Sequence, residues 1–236
     1  MQNTVTVKNE RPRFNTKTMV TMAMMTAMAY VAVTFFRIPV VLFLKYEPKD
    51  VIITIGGFMF GPLASVLMSL VVSLIEMVTI SDTGPIGALM NFIGTCSFAC
   101  LAALIYKSHR TIKGAVAGLA IGTVVMVAVM LAWNYLITPI YMSNSPENIA
   151  ATREAVAAML LPTFLPFNLL KGVLNSAITM LIYKPLSNAM RKAHILPEVS
   201  QSSGESSGHA KKYAFVYIIA AFVIATCVAV IVIWNR

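Results

Sequence analysis

Apolar and polar positions follow one another in long blocks along this chain, and the blocks predict helices that cross a membrane. A first apolar run extends from about residue 18 to residue 36. Later runs cover about 63–80, 86–106, 114–137 and 160–183. Each run approaches or exceeds the roughly 20 apolar residues that span a bilayer as a helix. The runs are continuous and do not alternate residue by residue, which argues against a transmembrane β-barrel.

The apolar stretch over residues 51–80 is too long for one helix and contains a break. The sequence GGFMFGP occupies residues 56–62. Proline disrupts a helix and glycine weakens it, so we predict a short helix that ends near Phe60 and a second helix that begins near Leu63. A short amphipathic helix is also expected over residues 149–159. The pattern therefore predicts six membrane helices within residues 16–190.

Three further regions complete the predicted organisation. Residues 1–15 form a polar amino-terminal arm, and residues 191–212 contain the Ser/Gly-rich sequence SQSSGESSGHAKK, which is typical of a flexible cytoplasmic linker. Residues 213–236 contain another apolar run, from Tyr213 to Trp234, that is long enough to span. We therefore predict an all-α integral membrane protein, a six-helix bundle with an additional carboxy-terminal transmembrane segment.

Composition and charge agree with an integral membrane protein, and the distribution of charge predicts its orientation. The chain is 58% hydrophobic and only 11% charged, whereas soluble domains carry about 25% charged residues. Its net charge of +9 is scattered over short loops, which favours a topology signal over a nucleic-acid surface. Most of the 18 lysines and arginines lie on one side if the amino terminus is cytoplasmic. We predict a multi-pass protein of the cell membrane with that orientation, whose loops over 37–50, 81–85 and 138–153 share the outer face.

The sequence lacks the motifs that would make this chain an enzyme. Neither the phosphate-binding GxxxxGK[ST] motif nor the zinc-binding HExxH motif occurs. All three histidines fall in predicted cytoplasmic loops, and the three cysteines fall in apolar segments, where they act as small packing residues. We expect no catalytic activity, no metal site, no cofactor, and no ATPase of the chain's own.

A lysine inside the last predicted span of the bundle is the first candidate for function. Lys171 lies in TFLPFNLLKGVL, and an ammonium in hydrocarbon costs at least about 2.5–3.5 kcal/mol, so it must face protein or water. Asn168 shares its helical face, and Asn134 lies near the outer end of the preceding span. Amides offer donors and acceptors, which suits a ligand edge that alternates C=O and N–H, such as a uracil-like ring. Alternatively, Asn168 and Lys171 satisfy backbone carbonyls or pair with Glu76.

Two outer loops carry polar groups that suit the same kind of site. The loop VLFLKYEPKD contains Lys45, Glu47, Lys49 and Asp50, and is either an ordinary solvated loop or a lid over a polyhydroxylated ligand. The turn SDTGP offers hydroxyl and carboxylate groups, although its aspartate could equally cap only the next helix. Both interpretations remain open for each loop.

The first span contains a small-residue motif. Ala23 and Ala27 are four apart among methionines, and this spacing lets membrane helices approach closely. Methionine is adaptable and is frequent on surfaces that re-pack. The motif indicates either ordinary packing within the bundle or a docking face for another membrane protein.

Taken together, these stretches resemble the riboflavin-specific substrate-binding subunit of energy-coupling factor (ECF) transporters. The resemblance covers roughly residues 16–186, and it rests on six motifs in matching order and spacing. These are FLKYEPKD, GGFMFGPLAS, SLIEMVTISDTGPIGALMNF, WNYLITPIYM, AVAAMLLPTFLPFNLLKG and YKPL. One departure is clear: the family core ends near YKPL, whereas this chain continues into the linker and a further apolar segment.

The resemblance implies a six-helix subunit that binds riboflavin near the extracellular side, performs no chemistry, and works with a transmembrane coupling protein and two cytosolic ATPases. It implies that Ala23 and Ala27 contact the coupling protein. Positions matching the family's contacts to the isoalloxazine ring are Asn134, Asn168 and Lys171, and those matching its ligand-binding loops are Lys45, Tyr46, Glu47, Asp50, Thr83 and Gly84.

Three alternative functions stay open from the sequence. One is a subunit of the same kind for another flat vitamin or a pyrimidine precursor. A second is a self-sufficient secondary transporter, which predicts internal repeats and buried carboxylates near the midplane; no clear repeat occurs, and Glu76 is the one carboxylate candidate. A third is a membrane scaffold without a ligand.

Overall fold

The computed structural model describes residues 15–41, 44–81, 84–108, 110–143, 145–192, 220–229 and 231–232. Its elements are, in chain order, α1 Thr16–Phe35, β1 Ile38–Val41, β2 Leu44–Tyr46, α2 Lys49–Phe60, α3 Pro62–Thr79, α4 Gly84–Thr95, α5 Leu101–Ser108, α6 Ile112–Leu136, α7 Thr138–Met142, α8 Ile149–Met159 and α9 Leu165–Lys192. A further helix, α10, covers Ala220–Ala229. Single π-helical turns, Cys96–Cys100 and Leu160–Phe164, join α4 to α5 and α8 to α9.

The described residues contain five helical segments that are long and apolar enough to cross a membrane. These are Thr16–Phe35, Pro62–Thr79, Gly84–Ser108, Ile112–Leu136 and Ile149–Tyr183. The prediction of an all-helical membrane bundle is confirmed, and the predicted spans agree with these segments to within a few residues, apart from the start of the last. The predicted amphipathic helix is α8, but it runs on through a π-turn into α9 to form one continuous segment of 35 residues.

The predicted break at GGFMFGP is confirmed. Helix α2 ends at Phe60, and Gly61 has φ 98°, a left-handed value that glycine adopts without strain. Pro62 then begins α3, where its missing N–H costs no hydrogen bond. Helix α2 is only 12 residues, or about 18 Å, long, so it is shorter than the roughly 30 Å hydrocarbon core. It packs against α1, α3, α5 and α9 and lies inside the bundle.

The described part of the outer loop predicted over residues 37–50 has secondary structure of its own. Strands β1 and β2 form an antiparallel hairpin in which Ile38 pairs with Tyr46 and Pro39 with Lys45. Lys49 and Asp50, expected in this loop, instead form the first turn of α2 and are buried. The loop prediction is wrong at these two positions, because their charges are paired inside the protein and need no solvent.

Small residues allow α6 to lie very close to its neighbours. A Cβ atom on Gly118 would lie 2.7 Å from the carbonyl oxygen of Ala102, and one on Gly122 would lie 2.6 Å from that of Phe98. Helix α6 therefore packs backbone to backbone against α5 and the π-turn that precedes it. On its other side α6 packs against α9. This arrangement places the inner faces of α4, α6 and α9 around one space.

Two buried apolar clusters hold the bundle together. The larger one joins α1, α2, α3, α5 and α6 with the first π-turn. The second joins the hairpin, α8, α9 and the described carboxy-terminal residues, and it includes Tyr46, Phe167, Cys227 and Ile231. Residues 1–14 of the predicted arm, 193–212 of the linker, and 213–219, 230 and 233–236 of the last apolar segment lie outside the described residues. Membrane crossing by the carboxy-terminal segment therefore stays a prediction.

The close approach of α6 gives a test of the packing. We expect Gly122→Ala to destabilise the purified protein by about 1–3 kcal/mol, since the added methyl meets the Phe98 carbonyl. Ala117→Val, which also adds carbon to α6 but at an exposed position, is the matched control. Thermal unfolding in detergent measures both. Equal melting temperatures for the two variants would contradict the packing.

Candidate functional site

A cavity of about 360 Å³ lies at the hairpin end of the bundle. Its polar wall comes from the hairpin region, α4 and α9, and consists of Arg37, Lys45, Glu47, Asn91, Asn168 and Lys171. Its apolar wall comes from β2, α4, α6, α7 and α9, and includes Leu44, Met90, Met126, Met130, Tyr141 and Phe167. The volume is at the lower end of the roughly 300–1,000 Å³ typical of small-molecule sites. The cavity thus combines a polar edge with broad apolar walls, which suits a flat ligand with a polar rim.

Buried ion pairs hold the hairpin over the start of α2. The Lys49 ammonium lies 2.9 Å from Glu47 Oε2 and 2.6 Å from Glu76 Oε1, and only 1% of its side chain is exposed. Arg37 Nε donates to Glu47 Oε1 at 3.0 Å, and Asn91 Nδ2 donates to Glu76 Oε2 at 3.0 Å. These bonds join the hairpin, α2, α3 and α4. Loss of one partner from such a pair is strongly destabilising, because it leaves a buried charge uncompensated.

A second chain of polar contacts connects the cavity to the hairpin through α2 and α9. Lys171 Nζ lies 3.2 Å from Asp50 Oδ2, and Asp50 also accepts from Thr95 Oγ1 at 2.6 Å and from Asn175 Nδ2 at 3.2 Å. The Tyr46 hydroxyl donates to Asn175 Oδ1 at 2.9 Å. Asp50 lies in the first turn of α2, where the helix dipole favours a negative charge. Lys171 is thus held by Asp50 at the cavity wall, and the alternative that it pairs with Glu76 is wrong.

The charges around Glu47 set its protonation state. Burial alone would raise the pKa of this carboxyl, but the ammonium groups of Lys49 and Lys171 and the guanidinium of Arg37 outweigh burial and lower the pKa to about 2. For Tyr46 the net shift is opposite: burial and the nearby Asp50 carboxylate act together and raise the pKa of the phenol. Glu47 is therefore ionised and Tyr46 is neutral and able to donate at physiological pH.

Two of the three predicted ring contacts line the cavity, and the third does not. Asn168 and Lys171 both line the cavity, and Asn168 Nδ2 donates to the Phe164 carbonyl at 2.8 Å, which leaves its amide oxygen available. Asn134 is fully buried and does not line the cavity. Its Nδ2 donates to the Met130 carbonyl at 2.7 Å, and its Oδ1 accepts from Thr138 at 3.0 Å. Asn134 therefore lies one helical turn beyond a cavity-lining residue, with its amide satisfied within the protein.

The predicted loop contacts also divide into two groups. Lys45 and Glu47 line the cavity, whereas Tyr46 and Asp50 lie behind its wall in the second polar chain. Gly84 begins α4, and its carbonyl accepts from the Ser81 hydroxyl at 3.4 Å. Thr83 lies outside the described residues.

Sequence reasoning missed three polar or aromatic residues of the cavity. Asn91 is an amide inside an apolar span, the same signal that singled out Asn134 and Asn168, so it could have been found. Arg37 is the first charged residue after the first span and was assigned to a solvated loop. Tyr141 gave no signal, because its approach to the cavity depends on the short helix α7 folding back after α6.

The predicted docking motif lies on the outside of the bundle. Ala23 and Ala27 are both exposed on α1, beside the exposed side chains of Met24 and Met28. The opposite face of α1 carries the buried residues, among them Met22, Met25 and Ala29. Packing among the described residues therefore does not use these two alanines.

Comparison with known proteins identifies several similar ones. The family model described as "ECF transporter, substrate-specific component" matches residues 17–183. The chain is 31% identical over 180 residues to the riboflavin transporter RibU of Staphylococcus aureus, covering 75% of this chain and 93% of that protein. It is 29% identical over 189 residues to the riboflavin transporter FmnP of Bacillus subtilis, covering 76% of this chain and 98% of that protein. A solved structure described as "Structure and mechanism of the S component of a bacterial ECF transporter" aligns with a TM-score of 0.61 and 30% identity, covering 74% of this chain and 98% of the other.

The lowered pKa of Glu47 predicts an acid-sensitive contribution to stability. The folded pKa of about 2 lies below the ordinary value of 4.5, so the contribution is present above pH 4.5 and is lost as the pH falls toward 2. We expect the melting temperature in detergent to fall between about pH 5 and pH 3, and to fall less steeply in Glu47→Gln. Glu154→Gln, an exposed glutamate on α8, should behave as the wild type. A Glu47→Gln profile parallel to that of the wild type would contradict this assignment.

Proposed function

Since this chain belongs to the family of ECF transporter substrate-specific components, we propose that it captures riboflavin at the extracellular side of the cell membrane for an ATP-driven importer. The observation that carries the choice of ligand is the cavity, which Asn168 and Lys171 line together with methionines and Phe167. Two relatives named as riboflavin transporters, at 31% and 29% identity, support the same ligand. The family is one of transporters, so the chain is not an enzyme.

The proposed ligand pose places the isoalloxazine ring between the methionines of α4 and α6 and the ring of Phe167. Lys171 donates to a ring carbonyl or N1, and the amide of Asn168 bonds the pyrimidine edge, which alternates donors and acceptors. Asn134 reads the same edge only after its side chain turns from Met130 and Thr138 toward the cavity. The turn of Asn134 on binding is therefore part of this proposal.

The ribityl chain is proposed to lie against the hairpin. Lys45 and Glu47 contribute charged partners for hydroxyl groups there, and Arg37 lies on the same wall. Tyr46 and Asp50 support this wall from behind. Thr83 and Gly84, which match the family's ligand-binding loop, are further proposed contacts. The hairpin thus serves as the cover of an occluded site.

Energy for transport is proposed to come from other subunits. The chain would work with a transmembrane coupling protein and two cytosolic ATPases, and reorientation against the coupling protein would deliver the ligand inward. The exposed face of α1 around Ala23 and Ala27 is the proposed docking surface, because small residues there let another helix approach. In the proposed orientation the amino terminus is cytoplasmic, and the hairpin end is outside.

The structure weighs against a self-sufficient secondary transporter. That alternative needs a buried carboxylate to bind a coupling ion, and Glu76 was the candidate. In the described residues Glu76 is already bonded to Lys49 and Asn91. A subunit for another flat vitamin keeps all of the cavity's features and is the closest alternative.

Riboflavin binding is the direct test of the proposal. Isothermal titration of the purified chain should show one site, and competition with other vitamins should displace riboflavin weakly or not at all. Lys171→Arg, which keeps a cation beside Asp50, should weaken binding by about 10–100-fold with little change in melting temperature, since one charge-assisted hydrogen bond changes geometry. Lys171→Met should weaken it as strongly but also lower the melting temperature, because Asp50 loses its cation. Absence of binding at micromolar riboflavin would rule the proposal out.

The docking surface is tested separately from ligand binding. Ala23→Leu with Ala27→Leu should abolish co-purification with the coupling protein while leaving the affinity for riboflavin within about twofold, because the leucines block close helix approach far from the cavity. Ala117→Leu, an exposed alanine on α6, is the control and should retain the complex. Retention of the complex by the double variant would place the docking surface elsewhere.

A further inference from the structure

The helix α10 lies beyond the part of the chain that the family model matches, yet it packs onto the bundle. The family match ends at residue 183, and α10 covers Ala220–Ala229. Ala220 and Val223 face a groove formed by α6 and α9. Cys227 and Ile231 are each 7% exposed and belong to the apolar cluster that contains Tyr46, Phe167 and Leu174. This segment is therefore part of the folded unit that contains the site.

The contacts fix the direction of this segment. Ala220 shares the groove with Ala177 and Met180, in the middle of α9. Cys227 and Ile231 lie in the cluster with residues from the first half of α9 and from the hairpin. The segment thus runs antiparallel to α9 and rises toward the hairpin end, where the cavity lies.

The two faces of α10 and of the helical residues 231–232 that follow it differ in the way a lipid-contacting helix of a bundle should. Cys227 and Ile231 are buried against the protein, while the neighbouring Val228 and Val232 are 48% and 50% exposed, and Phe222 is 73% exposed. All of these exposed residues are apolar, which suits contact with lipid. At adjacent positions, one side chain therefore packs against the bundle and the next faces the membrane.

The buried face of α10 meets one end of the polar chain that holds Lys171. Tyr46 lies in the same apolar cluster as Cys227, and its hydroxyl donates to Asn175. Asn175 donates to Asp50, and Asp50 is paired with Lys171 at the cavity wall. A shift of the Tyr46 ring therefore reaches Lys171 through two hydrogen bonds and one ion pair.

The hairpin needs such support from outside. Its strands have four and three residues, and an isolated two-stranded hairpin is marginally stable at best. Val40, Leu44 and Tyr46 point away from solvent, with at most 4% of each exposed, and the cluster that covers them draws on α8, α9 and α10. The carboxy-terminal segment is thus one of the surfaces on which the hairpin rests.

We propose that α10 positions the ligand site: by packing against Tyr46 and the first half of α9, it holds the chain Tyr46–Asn175–Asp50–Lys171 in place and slows the release of ligand. Cys227 and Ile231 are the positioning residues, and neither contacts the ligand. The identity of the ligand as riboflavin rests on the proposed function above, whereas the packing of α10 does not.

Matched substitutions in the full-length chain test the proposal. Cys227→Trp overfills the packed face, and Val228→Trp puts the same ring on the lipid face; Ile231→Ala and Val232→Ala form a second pair that only removes atoms. We expect the riboflavin dissociation rate to rise by about tenfold in Cys227→Trp and by a smaller factor in Ile231→Ala, and to stay within about twofold in the two controls. Equal dissociation rates within both pairs would overturn the proposal. Where Cys227→Trp does not fold, the comparison of Ile231→Ala with Val232→Ala tests the proposal by itself.

If α10 acts on the site through Tyr46, the effects of Tyr46→Phe and Ile231→Ala on the dissociation rate should not be additive. Tyr46→Phe removes the hydroxyl that reaches Asn175, so adding Ile231→Ala to it should change the dissociation rate by less than about twofold. If the two effects multiply instead, α10 stabilises the fold without positioning the site, and the proposal is wrong. Tyr46→Phe alone keeps the ring in its cluster, so its melting temperature serves to show that the fold is retained.

A measurement without ligand separates this proposal from the proposed function. Hydrogen–deuterium exchange at the amides of Leu44–Tyr46 should be faster in Ile231→Ala than in Val232→Ala, in detergent and without riboflavin. If the wild type binds no riboflavin, the proposed function fails, and the exchange result alone decides whether α10 supports the hairpin. Equal exchange in both variants would overturn the packing role whatever the ligand.

Discussion

The position of the Lys49 ammonium between Glu47 and Glu76 is the constraint on which the rest of the site depends. An ammonium that is 99% buried must be paired, and its two partners come from the hairpin and from α3. Glu47 in turn holds Arg37, and Glu76 holds Asn91 of α4. Helix α2 is too short to span the membrane by itself. Its place inside the bundle is therefore fixed by apolar packing along its length and by this ion-pair network at its first turn.

The same network shapes the cavity before any ligand arrives. Arg37, Glu47, Asn91 and Lys171 all line it, and each is already bonded to another group of the protein. Among the described residues, the network contains three cations (Arg37, Lys49 and Lys171) and three carboxylates (Glu47, Asp50 and Glu76), so their charges balance. The fixed side chains of this network lower the cost of ordering the wall on binding. The proposed ligand, a flat ring with a polyhydroxylated chain, would meet polar groups that are already held in place.

Agreement between prediction and structure is best where a local signal is strong. The break after Phe60 follows from glycine and proline at adjacent positions, and Asn168 shares a cavity wall with Lys171 because residues three apart lie on one helical face. The hairpin was not predicted, because strands of three and four residues carry too little pattern. The sequence places Lys49 and Asp50 in an outer loop that is either solvated or a lid, because the partner of a charged side chain is not visible in the local pattern. That partner for Lys49 lies 27 residues away, and Asp50 accepts from an amide 125 residues away.

The sequence by itself determined the class of this protein, the positions of its spans and the pair of residues at the cavity wall, because apolar run length, helix breakers and helical periodicity are local properties. Its family was indicated by the resemblance of its motifs. The tertiary structure decided which charge pairs with which, and it turned the Asn134 amide back onto its own helix, whereas sequence reasoning had grouped it with Asn168. It also placed the carboxy-terminal helix against the hairpin and α9. These outcomes depend on contacts between distant parts of the chain, where burial leaves each charge and each apolar face only the partner that folding brings to it.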